Sequence, residues 1–143
     1  MIGIIVTGHG HFATGVTASV DLIAGPQKDY VAVDFDGEGT AKLEADMKYA
    51  VDTLSRCNGI IIFADLAGGS PFKTAAIVTA GKPNVKVIGG ASLPMLCEIV
   101  MARTMIDDVD TLVSTALNVG RDSIQLFEMP KAIDEEVSDG EGI

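Results

Sequence analysis

The segment Ile-Val-Thr-Gly-His-Gly-His, residues 5–11, decides how this chain folds and where its chemistry lies. It ends an apolar run that begins at Ile2, and the glycines on both sides of His9 mark the change from a buried strand to a turn. Open α/β folds place ligands and reactive groups at such strand ends. His9 and His11 are the only histidines of the chain, so any imidazole chemistry is confined to this loop. A histidine at this point can also serve only to cap the following helix.

A second loop has the same setting. Residues 64–72, Ala-Asp-Leu-Ala-Gly-Gly-Ser-Pro-Phe, follow another apolar run and lead into a helical pattern. We predict that Ser70 is the N-cap of this helix and that Pro71 lies in its first turn, because both residues favour these positions. The two loops place a histidine and an aspartate at the ends of two separate strands.

Apolar, β-branched runs alternate with helical patterns along the chain. The predicted strands are 2–6, 30–35, 59–63 and 85–88, with an alternating edge strand at 123–127. The predicted helices cover 12–23, 43–54, a segment from residue 70 onward, 94–103 and 108–117. Gly120 is expected to end the last helix. We find no internal repeat, long linker or second domain.

This order predicts a doubly wound α/β domain, in which a mostly parallel sheet carries helices on both faces. The first strand then lies between the second and third, and the ligand crevice opens at the carboxyl ends of the first and third strands. Those ends carry His9 and Asp65, which are therefore predicted to meet in one site. The chain of 143 residues is long enough for one core, and we predict a single domain at 1–127.

The residues of the two loops suit phosphoryl chemistry. An imidazole attacks best when one nitrogen is free and the other donates to a carboxylate that fixes its tautomer. Asp65 is placed to do this for His9, although an aspartate there can also cap its own turn. Gly68, Gly69 and Ser70 precede a helix start, where unpaired N–H groups and a hydroxyl suit a phosphoryl group. An ordinary strand-to-helix turn is the alternative for that segment.

Three neighbouring features are given lesser roles. His11 is expected to open the first helix and to line the rim, rather than to act as a second acid or base. Residues 35–37 either wall the same crevice or form a plain turn. Residues 89–94 repeat the glycine-rich turn on the same sheet edge and are expected to be mainly structural.

The composition excludes several classes of partner. The formal net charge of -10 argues against nucleic acid and anionic membranes, because both bind basic surfaces. No apolar run approaches the roughly 18–20 residues that span a bilayer, and the N-terminus carries no secretion signal. Cys57 and Cys97 have no metal-binding spacing, so we expect both to be reduced and buried, in a cytoplasmic protein without metal or cofactor. Residues 128–143 are strongly acidic and are expected to form a flexible tail.

Four groups of residues resemble a known protein family. In chain order they are Gly8-His9-Gly10, then Asp34-Phe35, then Asp65 with Gly68-Gly69-Ser70-Pro71-Phe72, and finally Pro94-Met95-Leu96 through Met101-Ala102-Arg103. They are similar to the enzyme IIA proteins of the mannose family, which belong to the bacterial phosphoenolpyruvate-dependent sugar phosphotransferase system. The resemblance runs from residue 2 to about residue 127. The acidic tail and the pair Leu66-Ala67 differ from some members.

The resemblance implies a phosphotransferase subunit that relays phosphate during sugar uptake. It implies that His9 accepts a phosphoryl group from phospho-HPr and passes it to a histidine of enzyme IIB, which serves the membrane permease of enzymes IIC and IID. It also implies that Asp65 orients His9, and that Ser70 and its neighbouring amides hold the phosphoryl group. Such a protein is cytoplasmic and associates peripherally with the permease complex. The residues do not identify the sugar.

The resemblance further implies a homodimer in which a final antiparallel strand is exchanged between subunits, and 123–127 matches that strand. A short edge strand gains by pairing with a second subunit, because an exposed sheet edge is then covered. Gly120 and Arg121 are expected to form the hinge before it.

Three other functions share parts of the pattern. A receiver-like domain phosphorylated on Asp65 needs an acidic pair after its first strand to hold Mg²⁺, whereas this strand ends in Thr7, Gly8 and His9. A flavin or nucleotide module lacks support, because the chain has no Walker A lysine, no GxGxxG after the first strand and no tryptophan. A histidine phosphatase needs an arginine before the histidine. Phosphoryl transfer through His9 is the function that we predict.

Overall fold

The computed structural model describes residues 1–131, which form one four-stranded sheet between two layers of helices. In chain order the elements are β1 (Gly3–His9), α1 (Phe12–Ala24), β2 (Tyr30–Phe35), α2 (Ala41–Thr53), β3 (Ile60–Ala64), α3 (Ser70–Val78), β4 (Val85–Gly89), α4 (Leu93–Ala102) and α5 (Val109–Asp122). All four strands predicted to be parallel are present, and the strict alternation of strands and helices as far as α4 gives the doubly wound arrangement that was expected.

The sheet has the order β2-β1-β3-β4, and every neighbouring pair is parallel. The first strand therefore lies between the second and the third, as predicted. In the register, His9 lies opposite Phe35, and Thr7 lies opposite Ala64, which in turn lies opposite Gly89. The carboxyl ends of all four strands consequently meet at one edge, where the loops of interest are found.

Two apolar layers hold the sheet. Ile4 and Val6 of β1 face the layer of α1, α4 and α5, whereas Ile5 faces the layer of α2 and α3. Successive side chains of a strand point to opposite faces, so a strand covered on both sides is apolar at nearly every position. This explains why the strands have continuous runs of Ile and Val rather than an alternating pattern.

Arg103 binds the backbone at the edge of the sheet where the strands begin, opposite the edge that carries the two loops. Its guanidinium is buried and donates to the backbone oxygens of Ile2, at 2.9 Å, and of Asp29, at 3.0 Å. Burying such a group is costly unless its donors are satisfied. Here Nη1 and Nη2 donate to backbone oxygens and to the side-chain oxygen of Gln27, whereas Nε has no partner. Arg103 thus ties the end of α4 to the amino ends of β1 and β2, far from the crevice.

Two of the predicted helix ends are wrong. The N-cap of α3 is Gly69, with an extended backbone, and its carbonyl accepts from the N–H of Lys73 at 2.9 Å. Ser70 is already helical and does not cap, while Pro71 lies in the first turn as expected. Gly120 does not end α5, which continues to Asp122.

The reason for the second error lies in the packing of α5 against α4. A Cβ at position 120 would meet the terminal methyl group of Met95 on α4, so glycine at this position leaves room for the Met95 side chain between the two helices. Gly120 and Arg121 are therefore part of a helix and form no hinge. Of the two free thiols, Cys97 is buried as expected, but Cys57 is only half-buried.

The segment after α5 differs from its predicted form in the single chain. Residues 123–127 pair with none of the four strands, and Ile124, Leu126 and Phe127 are exposed. Their exchange between two chains stays a prediction. The predicted acidic tail begins at residue 128, and from residue 132 onward it lies outside the described residues. Within 1–131, no helix has both the length and the apolar character needed to cross a bilayer.

Candidate functional site

The His9 imidazole and the Asp65 carboxylate meet at the carboxyl edge of β1 and β3, as the sequence predicted. His9 is the last residue of β1, and its Nδ1 lies 2.9 Å from Asp65 Oδ2. The backbone N–H of His9 donates to the same oxygen, also at 2.9 Å. Asp65 is itself fixed, because its N–H donates to the carbonyl of Thr7 at 3.1 Å. The carboxylate therefore holds both the backbone and the ring of one residue.

Gly8 supplies the space for this contact. A Cβ at position 8 would lie 2.8 Å from the Asp65 carboxyl carbon and 2.6 Å from the Phe12 ring. Both distances are shorter than non-bonded carbons tolerate, so any other residue would push Asp65 or Phe12 away. The sequence contained a signal for this role, since a glycine at the end of a buried strand marks a close approach of another group.

The hydrogen bonds keep Asp65 ionised. Burial raises the pKa of the Asp65 carboxyl, but the hydrogen bonds that it accepts from the N–H and the ring of His9 and from the N–H of Leu66 outweigh burial and leave the pKa below its ordinary value. An ionised carboxylate only accepts hydrogen bonds, so the proton of the neutral ring is on Nδ1. The lone pair of the ring is then on Nε2.

Two neighbours define the side of the ring that carries Nε2. A Cβ on Gly69 would lie 2.9 Å from His9 Cε1 and 3.6 Å from Nε2, so the backbone of Gly69 lies directly beside the ring. Phe35 contacts the ring edge-on, with centroids 5.8 Å apart and planes at 69°. Phe35 therefore walls the crevice, which was one of the two roles considered for it. The His9 side chain remains 47% exposed and open to a partner.

The start of α3 supplies unpaired backbone donors near the ring. The first N–H groups of a helix have no intrahelical acceptor, and Pro71 has no N–H, so Ser70 and Phe72 provide the free donors of the first turn. Gly68 forms the preceding turn with φ of +82°, a value that glycine adopts without strain. Of the three predicted phosphate-binding residues, Gly69 lies beside His9, Gly68 is exposed in the turn, and Ser70 is half-buried as the first helical residue.

A second histidine–aspartate pair lies on the β2 side of the same edge. His11 Nδ1 is 3.3 Å from Asp34 Oδ2, and the His11 side chain is 94% exposed. Asp34 accepts from the N–H of Thr14 at 3.0 Å and from the Thr14 hydroxyl at 2.8 Å. Burial raises the pKa of Asp34, but these hydrogen bonds and the one from His11 leave the pKa below its ordinary value. His11 precedes α1 and lines the rim, as expected, while the bond from Thr14 to Asp34 was missed.

The missed bond has a simple structural meaning. His11 is the N-cap residue of α1 but its side chain caps no N–H, and Asp34 supplies that hydrogen bond from the neighbouring strand. No local sequence pattern signals a cap that comes from 20 residues away. Within residues 1–131, no three His, Cys, Asp or Glu side chains cluster closely enough to hold a metal ion.

Comparisons with known proteins show the family to which this chain is related. The sequence model of the EIIA-man family, described as PTS system fructose IIA component, matches residues 3–117. The chain is 30% identical over 128 residues to the mannose-specific EIIAB component of Escherichia coli strain K12, covering 89% of this chain and 40% of that protein. It therefore spans less than half the length of that relative.

Two further similarities cover most of both chains. A sorbose-specific EIIA component of Lacticaseibacillus casei is 31% identical over 118 residues, covering 81% of this chain and 83% of that protein. The crystal structure of a phosphotransferase system component EIIA from Streptococcus agalactiae superposes with a TM-score of 0.77 at 32% identity, covering 87% and 96% of the two chains. Because the family model matches residues 3–117, most of the chain, the chain belongs to the EIIA-man family of phosphotransferase-system IIA components.

Proposed function

We propose that this protein is a phosphocarrier of sugar uptake, which accepts a phosphoryl group from phospho-HPr on His9 and passes it to enzyme IIB. The observation that carries the proposal is the double contact of one Asp65 oxygen with His9, in which Oδ2 lies 2.9 Å from both the backbone N and Nδ1. A ring held in this way presents its free nitrogen in one direction, and orientation of this kind is a major source of rate enhancement.

The transfer is a displacement at phosphorus between two nitrogen atoms. His9 Nε2 uses its lone pair to form a bond to phosphorus while the bond to the donor histidine breaks, and the donor nitrogen keeps that electron pair. His9 then carries positive charge on its ring, and the carboxylate of Asp65 stabilises this charge through Nδ1. In the second transfer a histidine nitrogen of enzyme IIB attacks the phosphorus, the bond to His9 Nε2 breaks, and His9 Nε2 keeps that electron pair.

The backbone around α3 is proposed to hold the phosphoryl group. The free N–H groups of Ser70 and Phe72, the Ser70 hydroxyl and the turn at Gly68 and Gly69 offer donors at the positive end of a helix. Phosphate carries negative charge throughout the transfer, so donors fixed before the reaction stabilise it without rearrangement.

The wider setting is proposed from the same family membership. Enzyme IIB would pass phosphate to a sugar carried by a membrane permease of enzymes IIC and IID, with this subunit in the cytoplasm and peripherally bound to that complex. The matching relatives are named for mannose and sorbose, and the family model for fructose, so we propose no particular sugar.

The decisive experiment is to label the protein with phosphoenolpyruvate in the presence of enzyme I and HPr, and to map the modified residue by mass spectrometry. A phosphohistidine is labile in acid and survives mild base, and we expect it on His9. Label on Asp65, removed by hydroxylamine, would instead support the receiver-like alternative. Label on His11 alone would contradict our assignment of the two histidines.

We also propose a homodimer that exchanges residues 123–127. The supporting observation is the exposure of Ile124, Leu126 and Phe127, at 84%, 85% and 78%, in the single chain. Three large apolar side chains within four residues are rarely left in water unless another surface covers them. Light scattering should give a dimer for the full chain and for a chain without 132–143, and should give a monomer or aggregates for a chain without 124–143. A monomeric full chain at micromolar concentration would contradict the exchange.

A further inference from the structure

Gly89, the last residue of β4, is in closer contact with the Asp65–Gly69 loop than any side chain would permit. A Cβ at position 89 would lie 2.6 Å from both Cα and Cβ of Ala67 and 3.0 Å from its N. Two of these atoms belong to the backbone, so a change of rotamer cannot relieve the overlap. A side chain at 89 would displace either the loop or the end of β4.

The displaced part of the loop lies between the two groups that hold the His9 ring. Asp65 is two residues before Ala67 and binds Nδ1, and Gly69 is two residues after it and lies against Cε1. The base of the loop is fixed to β4, because Ala64 lies opposite Gly89 in the register and its carbonyl accepts from the N–H of Ala91 at 2.9 Å. A shift at Ala67 therefore passes to the flanking residues rather than to the base of the loop.

The contact has no other evident purpose in the packing. Ala67 is exposed, so Gly89 does not make room for a core side chain. The contact joins two loops at the edge where the site lies, two strands away from β1.

We infer that Gly89 is a positioning residue for phosphoryl transfer: the missing side chain lets the Asp65–Gly69 loop settle against β4, and the seated loop holds the His9 ring between Asp65 and Gly69. The inference rests on the proposed function for its kinetic consequence. Its structural consequence, the fixed tautomer of His9, does not depend on that function.

The test compares Gly89→Ala with Gly59→Ala. Gly59 is also crowded, though less severely, and lies at the opposite edge, where a Cβ would be 3.0 Å from the Asn84 carbonyl oxygen and 3.2 Å from Ile2. Each variant is assayed for the rate of phosphoryl transfer from phospho-HPr, and the imidazole ¹⁵N resonances of His9 are recorded by NMR. Displacements of about 1 Å in a reacting pair cost on the order of 10²-fold in rate.

For Gly89→Ala we expect a loss of roughly 10²-fold in transfer rate and ¹⁵N shifts that show a mixture of ring tautomers. For Gly59→Ala we expect lower stability, with the transfer rate per folded molecule and the His9 shifts unchanged. A Gly89→Ala protein that transfers within a few-fold of wild type and keeps the single tautomer would overturn the inference, as would equal effects in both variants.

A second variant covers the case in which Gly89→Ala does not fold. Ala67→Val crowds the same contact from the loop side, at an exposed position outside the sheet, because the Cβ of residue 67 already lies against Gly89. We expect a mixture of tautomers and a slower transfer, and unchanged values of both would overturn the inference. If wild type itself is not labelled on His9, the proposed function fails, whereas the tautomer measurement still decides the positioning role of Gly89.

Discussion

Two histidine–aspartate pairs lie at the carboxyl edge of this sheet, two residues apart along β1 and its turn, and they differ in how firmly the ring is held. His9 is 47% exposed and lies 2.9 Å from its carboxylate, while His11 is 94% exposed and lies 3.3 Å from its own. Asp65 directs one oxygen to both the N–H and the ring of His9. Asp34 gives its oxygens mainly to Thr14.

The difference shows that the residue types alone do not decide the role of such a pair. Around His9, the absence of side chains at Gly8 and Gly69 lets a carboxylate and a loop backbone approach the ring. Around His11, the aspartate caps α1, and the ring only makes one further hydrogen bond to the same carboxylate. Under the proposed function the first pair presents a nucleophile, whereas the second helps to start α1.

The largest expected difference between the pairs is in labelling. His9→Ala should abolish incorporation of phosphate, because the accepting nitrogen is removed, whereas His11→Ala should retain most of it. The measurement is acid-labile label per folded protein after incubation with phosphoenolpyruvate, enzyme I and HPr. Loss of label in His11→Ala, with label retained in His9→Ala, would reverse the roles that we assign.

Substitution of the two aspartates should have different effects, mainly on the transfer rate for Asp65 and mainly on stability for Asp34. Asp65→Asn should slow transfer by about 10²- to 10⁴-fold, because an amide neither fixes the same tautomer nor stabilises a charged ring. Asp34→Asn should change transfer by only a few-fold and should lower the free energy of unfolding by roughly 0.3–1 kcal/mol, because the amide can still accept from Thr14 but lacks the negative charge that favours the start of a helix.

Stopped-flow transfer and urea unfolding of both variants check this pair of expectations. Equal slowing by the two substitutions would mean that the second pair takes part in transfer. A rate for Asp65→Asn within a few-fold of wild type would mean that Asp65 only organises its own turn.

Two glycine substitutions should also differ in whether they affect the transfer rate or the stability, but by smaller amounts. Gly69→Ala meets the His9 ring, with a Cβ 2.9 Å from Cε1, and we expect a transfer rate about 10-fold lower as the ring is displaced. Gly37→Ala, beyond the end of β2, has free space but a φ of +84°, so it should cost about 1 kcal/mol of stability through backbone strain and leave transfer unchanged. Equal transfer rates in the two variants would contradict the view that Gly69 contacts the His9 ring during transfer.

Much of this arrangement could be predicted from sequence because it follows from the order of the strands. Once β1 lies between β2 and β3, residues at the carboxyl ends of β1 and β3 must be neighbours, so the meeting of His9 and Asp65 needed no knowledge of side chains. Features that depend on tertiary packing were not predictable in this way. Gly120 was interpreted as a helix end, whereas it accommodates Met95, and the cap of α1 by Asp34 joins residues that no local pattern connects.

The smallest expected effect is the loss of stability at low pH, and here the two pairs should behave alike. The pKa values of Asp65 and Asp34 are both below the ordinary value in the folded protein, so the unfolded chain takes up protons first as the pH falls. The stability that each carboxylate contributes is therefore complete above the unfolded pKa of about 3.9 and is lost as the pH falls through the folded value. Because both groups are partly solvated, each contribution should be below about 1 kcal/mol.

Urea unfolding at neutral pH and near pH 3 measures this loss. Asp65→Asn and Asp34→Asn should each lose less free energy of unfolding on acidification than wild type does, because each lacks one group that must be protonated. If the variants lost as much free energy of unfolding on acidification as wild type does, the hydrogen bonds of these carboxylates would not persist in solution. If both lose less by similar amounts while their transfer rates differ by orders of magnitude, two pairs with similar stabilising value differ in function. The cause of that difference is then the neighbouring backbone, which confines His9 and leaves His11 in solvent, rather than the strength of either histidine–aspartate hydrogen bond.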